Sequence, residues 1–274
     1  MIKSLLIFAV LVGSWNLKWF PSGRAEHRAS ARVETANIRD AADVIRANLT
    51  GRGRVLFLQE LRDLAACSNL VTAIGDDRLH VAVATAFRDN RDNRLQWQQM
   101  GIVTDLPVIA AEWRYAKKAG RMFVPRGYAY ALLDGGKEGR IACFCVHLKS
   151  NYGTHAADAL KANATRRAAG IRQVLEAAGK VEAAKVLIVG DFNADRFSPE
   201  FKDEKMFTLL TDGGFADGWT GAAADARGTH PGEGRYPDST LDYIFHKGFN
   251  KRTSRTLAPF ETVSDHRMVL MRFK

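Results

Sequence analysis

The stretch Val186–Asp195, VLIVGDFNAD, constrains the fold more than any other part of the chain. Its apolar run has the length of a strand and needs burial within a packed sheet. Yet it runs straight into Gly190, Asp191, Phe192 and Asn193. A core strand that delivers a carboxylate and a carboxamide two positions apart ends at a sheet rim. The pattern recurs: Asn16 closes SWN, Glu60 closes VLFLQE, His147 lies in VHLKS, Asp242 opens DYIF, and Asp265 and His266 form SDH. One acidic residue after a strand is ordinarily a cap or turn residue. Repeated endings of related chemistry point instead to one shared site.

Between these endings the chain alternates strand and helix signals. Ser30 to Leu49 carries apolar residues at helical spacing, with Thr50-Gly51 as a stop. Gln99 to Ala110 reads as a strand pair or one long strand interrupted at Asp105 and Pro107. Arg121–Asp134 and Arg140–Leu148 read as a hairpin about Asp134-Gly135-Gly136. Ala156–Ala178 is the strongest helix, a short helix is expected near Glu200–Leu210, and Asp212–Asp238 reads as long loops. Recurrent hairpins argue against a purely parallel sheet, and two packed sheets with helices outside suit the number of strands.

With 274 residues, 46% of them apolar, the chain can bury a sizeable core, and neither a long linker nor a fixed-period repeat divides it. A net charge of +10 favours a polyanionic partner, although no dense basic block marks a footprint. Cys67, Cys143 and Cys145 are too few for a disulfide framework and read as buried thiols, with one bridge through Cys67 as the alternative in an exported chain. No zinc-type Cys/His spacing occurs. Residues 1–13 are apolar enough to begin a first strand or to serve as an export segment, with Gly23-Arg24-Ala25 as the first plausible cleavage site. Export or membrane association through this N-terminus is one expectation, and a cytoplasmic location is the other.

The polar endings make up a coherent inventory. A hard cation takes oxygen ligands, including one or two carboxylates, which Glu60 and Asp265 can supply with Asn16 nearby. Asp191 suits the orientation and deprotonation of a water, with Asn193 fixing geometry. His147 and His266 suit the charge that develops on a phosphoryl oxygen, with Asp242 as the partner of His266. Together they describe metal-assisted hydrolysis of a phosphate ester. His230, in a glycine-rich loop that leads into LDYIF, reads as a surface histidine, with substrate contact as the alternative. Lys161, Arg166, Arg167 and Arg172 read as a solvated helix face, whereas Lys149 and Asn151 sit closer to the histidine.

GDFN after a strand, LDYIF, a near-terminal SDH, LQE and an early WN resemble the endonuclease/exonuclease/phosphatase superfamily, in that family's order from Ser14 to His266. By chance GDFN would occur in roughly one chain of this length in several hundred, and SDH in about one in fifty. The resemblance implies an α+β fold, a four-layer αββα sandwich of two mixed, mostly antiparallel sheets, as one domain over residues 14–274. It implies a divalent cation, Mg²⁺ or Mn²⁺ with Ca²⁺ as a further option, held by Glu60, Asn16 and Asp265. His147, Asp191, Asn193, Asp242 and His266 would be the catalytic residues. Arg126, Lys149 and Asn151 would contact substrate phosphate. Gln98 or Gln99 stands where the deoxyribonuclease I branch supports its second histidine with an acid, so His147 is expected to be less basic. The expected activity is low-specificity hydrolysis of nucleic acid, DNA before RNA, by a monomer. A membrane lipid phosphodiester or a small phosphomonoester is the alternative substrate.

Overall fold

The computed structural model describes residues 9–22, 29–89, 91–232, 238–249, 252–256 (backbone) and 263–273. Along the chain run β1 (Val10–Phe20), α1 (Ala31–Asn48), β2 (Arg54–Leu61), α2 (Leu64–Ile74), β3 (His80–Ala84), β4 (Gln99–Thr104), β5 (Val108–Tyr115) and β6 (Gly127–Asp134). There follow β7 (Arg140–His147), α3 (Ala157–Ala178), β8 (Lys185–Asp191), α4 (Lys205–Asp212), β9 (Ala216–Asp217), β10 (Asp242–Lys247), β11 (Arg252–Thr256) and β12 (Val269–Phe273). They form two six-stranded sheets, ordered β11-β12-β1-β2-β4-β3 and β5-β6-β7-β8-β10-β9. The expected mixed, mostly antiparallel pair of sheets is what the chain forms.

The two sheets are built alike. In each, the middle two strands are parallel, β1 with β2 and β7 with β8, while every other neighbour is antiparallel. A parallel pair needs a crossover on one face of its sheet, and α1 and α3 lie in those two connections. Strict alternation then sorts the side chains. Val10, Val12, Val55 and Phe57 point inward to the core shared with the second sheet. Leu11, Leu56 and Leu58 point outward to pack with Ala41, Ala42 and Ile45 of α1 and with Ala66, Cys67 and Leu70 of α2. Ile171 and Val174 of α3 and Met206 and Leu210 of α4 cover the second sheet, which completes four layers.

Local chemistry sets the boundaries. Ser30 caps α1 by accepting from Val33 N–H, and Asp63 caps α2 by accepting from Ala66 N–H at 2.7 Å. Gly75 ends α2 in a left-handed conformation, φ 70°. The segment read as a strand pair is in fact two strands of different sheets: β4 lies in the first and β5 in the second, with Pro107 at the step.

The N-terminal expectation is corrected. Among the described residues no helix is long and apolar enough to cross a membrane. The apolar stretch from Val10 is instead a buried central strand, so membrane association through it is overturned. Residues 1–8 and Gly23-Arg24-Ala25 lie outside the described residues. Cys67, Cys143 and Cys145 are buried and free.

Candidate active site

The two parallel pairs explain why distant motifs meet. Parallel strands end on the same edge, so β1 and β2 bring Asn16 and Glu60 there, while β7 and β8 bring His147 beside Asp191 in direct register. Antiparallel neighbours begin where those strands end. Asp242 opens β10 opposite Asp191, and His266 precedes β12, whose Val269 pairs with Ser14. Gly190 makes the register possible. A Cβ there would sit 2.0 Å from Val146 O, and its φ is 143°, so only glycine fits.

The side chains converge as the strands do. Asn16 Nδ2 donates to Glu60 Oε1 at 3.2 Å and to Asp191 Oδ2 at 2.9 Å, which ties the first sheet to the second. Its Oδ1 accepts from Lys18 N–H at 3.0 Å, so the amide oxygen faces its own strand and the amino group holds the carboxylates. Trp19 N–H holds the other Glu60 oxygen at 3.1 Å. Asn193 N–H donates to Asp191 Oδ1 at 2.8 Å, and Asn193 Nδ2 donates to Leu148 O at 3.2 Å. His147 Nε2 stands 3.6 Å from Glu60 and 3.5 Å from Asp191. His266 Nδ1 lies 2.7 Å from Asp242 Oδ2. Ser264 fixes the SDH turn, accepting from His266 N–H at 2.9 Å and donating to Asn16 O at 2.5 Å.

Six of the seven described non-glycine residues with left-handed backbone cluster around this rim: Lys18, Trp19, Glu60, Gln98, Arg126 and Asn193. Each such conformation costs about 1–3 kcal/mol and persists where the surroundings over-determine it, which is typical of functional sites.

Burial and proximity separate the titrating groups. Burial pushes Asp191 up, and the Asp242 charge pushes it further, so it holds a proton more readily than a free carboxylate. Burial alone would push the His266 imidazole down, but the Asp242 carboxylate outweighs it and lifts His266 to about 10. Burial, with help from Arg126 and His266, holds His147 well below its ordinary value. Burial, rather than a neutral hydrogen-bond partner, is thus what makes His147 a weak base. Gln98 Oε1 accepts from Arg126 Nη1 at 2.9 Å, and Gln99 Oε1 accepts from Thr85 Oγ1 at 2.7 Å and Phe87 N–H at 2.9 Å. Neither supports the histidine, whose buried Nδ1 has no hydrogen-bond partner among the described residues.

The residues expected at phosphate have partners within the protein. Arg126 donates through Nε to His147 O at 2.8 Å and through Nη2 to Leu148 O at 3.0 Å, so it props the strand end that carries His147. Lys149 Nζ reaches Ser150 O at 2.9 Å, and Asn151 Oδ1 accepts from Arg167 Nη1 at 3.0 Å. Arg167 leaves the solvated face expected of it: it is buried, pairs with buried Glu204 and also donates to Lys149 O at 2.8 Å. Asp265 pairs with Lys18 at 2.9 Å. Its burial works to raise the carboxyl, but Lys18, His266 and His230 hold it below its ordinary value.

Sequence reading missed three residues here. Thr229 Oγ1 accepts from Leu241 N–H at 2.9 Å and Asp242 N–H at 3.1 Å, which sets the start of β10. Ser264 stood in plain view as the first letter of SDH. His230, read as a surface histidine, lies edge to face with His266 at 4.9 Å.

Fit to a divalent cation follows from the donor set. Ligand atoms of Asp191, Asp242 and His266 lie within 4.8 Å of one another, and buried Asp242 Oδ1 has no hydrogen-bond partner among the described residues. One imidazolium does not balance Asp191, Asp242 and the adjacent Glu60 carboxylate, so the carboxylate oxygens fit a hard cation.

Comparison with known proteins agrees with this geometry. The sequence profile of the Endonuclease/Exonuclease/phosphatase family matches residues 13–266, and the chain belongs to that family. Its fold is similar to an endonuclease/exonuclease/phosphatase from Beutenbergia cavernae DSM 12333 (TM-score 0.70, 17% identity, covering 97% of this chain and 71% of that one). It is also similar to truncated Caenorhabditis elegans TDP2 (0.59, 16%, 97% and 98%) and to sphingomyelinase C from Streptomyces griseocarneus (0.62, 20%, 97% and 99%). Comparison with curated protein sequences gives no significant match. Family and site together define a metal-dependent phosphoesterase in the broad sense.

Proposed function

We propose that this protein is a divalent-cation-dependent phosphodiesterase that hydrolyses nucleic acid, DNA in preference to RNA, with little sequence selectivity. The observation that carries the chemistry is the Asn16 bridge between Glu60 and Asp191, with the Asp242–His266 pair beside it. The nucleic-acid assignment draws on the +10 net charge, since phosphate contacts give affinity without reading sequence.

Glu60 and Asp191 would hold the cation, Mg²⁺ or Mn²⁺, with Asp265 as a further carboxylate. When bound, such an ion polarises a phosphoryl oxygen and neutralises charge on the carboxylates. Asp191, anchored by Asn16 and Asn193, orients the attacking water and accepts its proton. His266, kept protonated by Asp242, donates a hydrogen bond to the phosphoryl oxygen as charge grows on it. His147 faces Glu60 and Asp191 through Nε2 at 3.6 and 3.5 Å, and a proton on that nitrogen would make it a second donor to the phosphoryl oxygen. Asn16 positions the two carboxylates, and Arg126 positions His147.

A substrate panel tests this reading: supercoiled plasmid, single-stranded DNA, RNA and a choline-phosphate lipid, each with Mg²⁺ and with chelator. Metal-dependent cleavage of the DNA substrates is expected. Hydrolysis of the lipid with DNA untouched would replace the nucleic-acid assignment.

A further inference from the structure

His230, Asp265 and His266 turn ligand atoms toward a common point. One ring nitrogen from each histidine and a carboxylate oxygen lie within 4.8 Å of one another. His230 Nε2 is 3.9 Å from Asp265 Oδ2, and the two imidazoles meet edge to face. Donors on one tetrahedral zinc ion stand about 3.3 Å apart. Small side-chain rotations of His230 and Asp265, whose side chains are 31% and 33% exposed, would close the set.

The donor chemistry differs from that of the Glu60–Asp191 centre. Two imidazoles and one carboxylate select a first-row transition ion, whereas Mg²⁺ prefers oxygen throughout. A separate observation comes from behind His266. Its Nδ1 lies 2.7 Å from the Asp242 carboxylate, the backing that fixes the tautomer of a metal-binding imidazole and leaves Nε2 as the ligand. His230 is held in place by its backbone, which exchanges hydrogen bonds with Ser239 at 3.0 and 2.9 Å. The Lys18 ammonium stands against Asp265 as a resident cation, but its side chain is 54% exposed, and an exposed ion pair is weak enough to give way.

We propose that His230, Asp265 and His266 form an inhibitory zinc site that borrows His266 and Asp265 from the hydrolytic centre, so that its occupation withdraws His266 from hydrolysis. The ion takes the lone pair of His266 Nε2, and the proton carried there leaves to solvent. No donor then remains on that ring to face the phosphoryl oxygen. Zinc binding stands on these three residues alone; the inhibitory consequence rests on the hydrolase reading above.

Co²⁺ serves as the spectroscopic probe, titrated into the full chain in millimolar Mg²⁺ and then displaced with Zn²⁺. One equivalent is expected to give visible d–d absorption that Zn²⁺ abolishes. His230→Ala should weaken binding at least about tenfold, while Lys18→Gln, which removes the competing ammonium, should tighten it. In hydrolysis assays at fixed Mg²⁺, Zn²⁺ should inhibit the wild type, and His230→Ala should need at least about tenfold more Zn²⁺ for the same fractional inhibition, each protein being compared with its own zinc-free rate. Equal Co²⁺ affinity in the wild type and both variants would overturn the site. Hydrolysis undiminished in zinc-loaded protein would overturn the inhibitory role. Zinc binding as expected in a protein that cleaves no phosphodiester would defeat the hydrolase reading and the inhibition with it, while the metal site stands.

Discussion

At the scale of single residues, the chemistry of the rim depends on side chains whose neighbours fix their charge. Asp242 lifts His266 against the effect of burial, so Asp242→Asn should leave His266 without the charge that keeps it protonated. The expected loss is about 10²- to 10⁴-fold in kcat for phosphodiester hydrolysis, with far-UV circular dichroism unchanged; a loss under about threefold would remove His266 from the chemistry. Gly190 is a residue of a different kind, since its role is steric. Gly190→Ala would put a methyl group 2.0 Å from Val146 O at a φ of 143°. It should lower stability by on the order of 3 kcal/mol, read from the urea midpoint. The GDFN stretch showed its carboxylate and carboxamide openly, because catalytic groups at a strand end break the apolar pattern. Its glycine was silent, because the need for it arises only when β8 lies against β7. The contacts of Arg126 and His230 were silent for the same reason: the partners of each, His147 O and His266, are distant in sequence.

At the scale of elements, alternation and turn chemistry made most strands and the long helices legible. Leu11, Leu56 and Leu58 face outward while Val12, Val55 and Phe57 face inward, a period-two pattern that survives in the letters. What the letters did not carry was sheet membership. β4 and β5 follow each other closely, yet belong to different sheets, and no local signal distinguishes a sheet change from a hairpin. Helix α2 escaped notice although Asp63 and Gly75 bracket it as cap and stop. Charge on α3 shows the limit most sharply. Arg167 sits among Lys161, Arg166 and Arg172, which look like a solvated face, yet it is buried against Glu204 at the start of α4 and holds the loop after β7. Arg167→Ala should therefore cost about 3–5 kcal/mol by leaving Glu204 unpaired, whereas the Arg167→Met/Glu204→Leu double variant should regain most of that loss in thermal melts. Similar melting of the single and double variants would show that the pair is not what joins α3 to α4.

At the scale of the whole molecule, two similarly built sheets meet face to face, and each contributes the C-terminal ends of its parallel pair to one rim. The three buried thiols report on the integrity of that sandwich. Burial pushes Cys67 and Cys145 up to about 12, and Cys143 rises for the same reason. In the unfolded chain these thiols ionise from about pH 8.5, while the folded protein keeps their protons. Their contribution to stability is therefore fully present below about pH 8.5 and is lost as pH rises toward 12. Urea midpoints should fall between pH 8 and 10, and the triple Cys67→Ala/Cys143→Ala/Cys145→Ala variant should show a shallower fall; identical slopes would contradict the burial of the thiols. The central claim is that residues from both sheets form one hydrolytic centre, and it is tested most directly by comparing wild type with Asp191→Asn on the phosphodiester the wild type cleaves best. The predicted result is cleavage that requires Mg²⁺ or Mn²⁺, stops with chelator, and falls by at least about 10²-fold in the variant. Cleavage by Asp191→Asn at the wild-type rate, or no metal-dependent cleavage of any phosphodiester by the wild type, would contradict it.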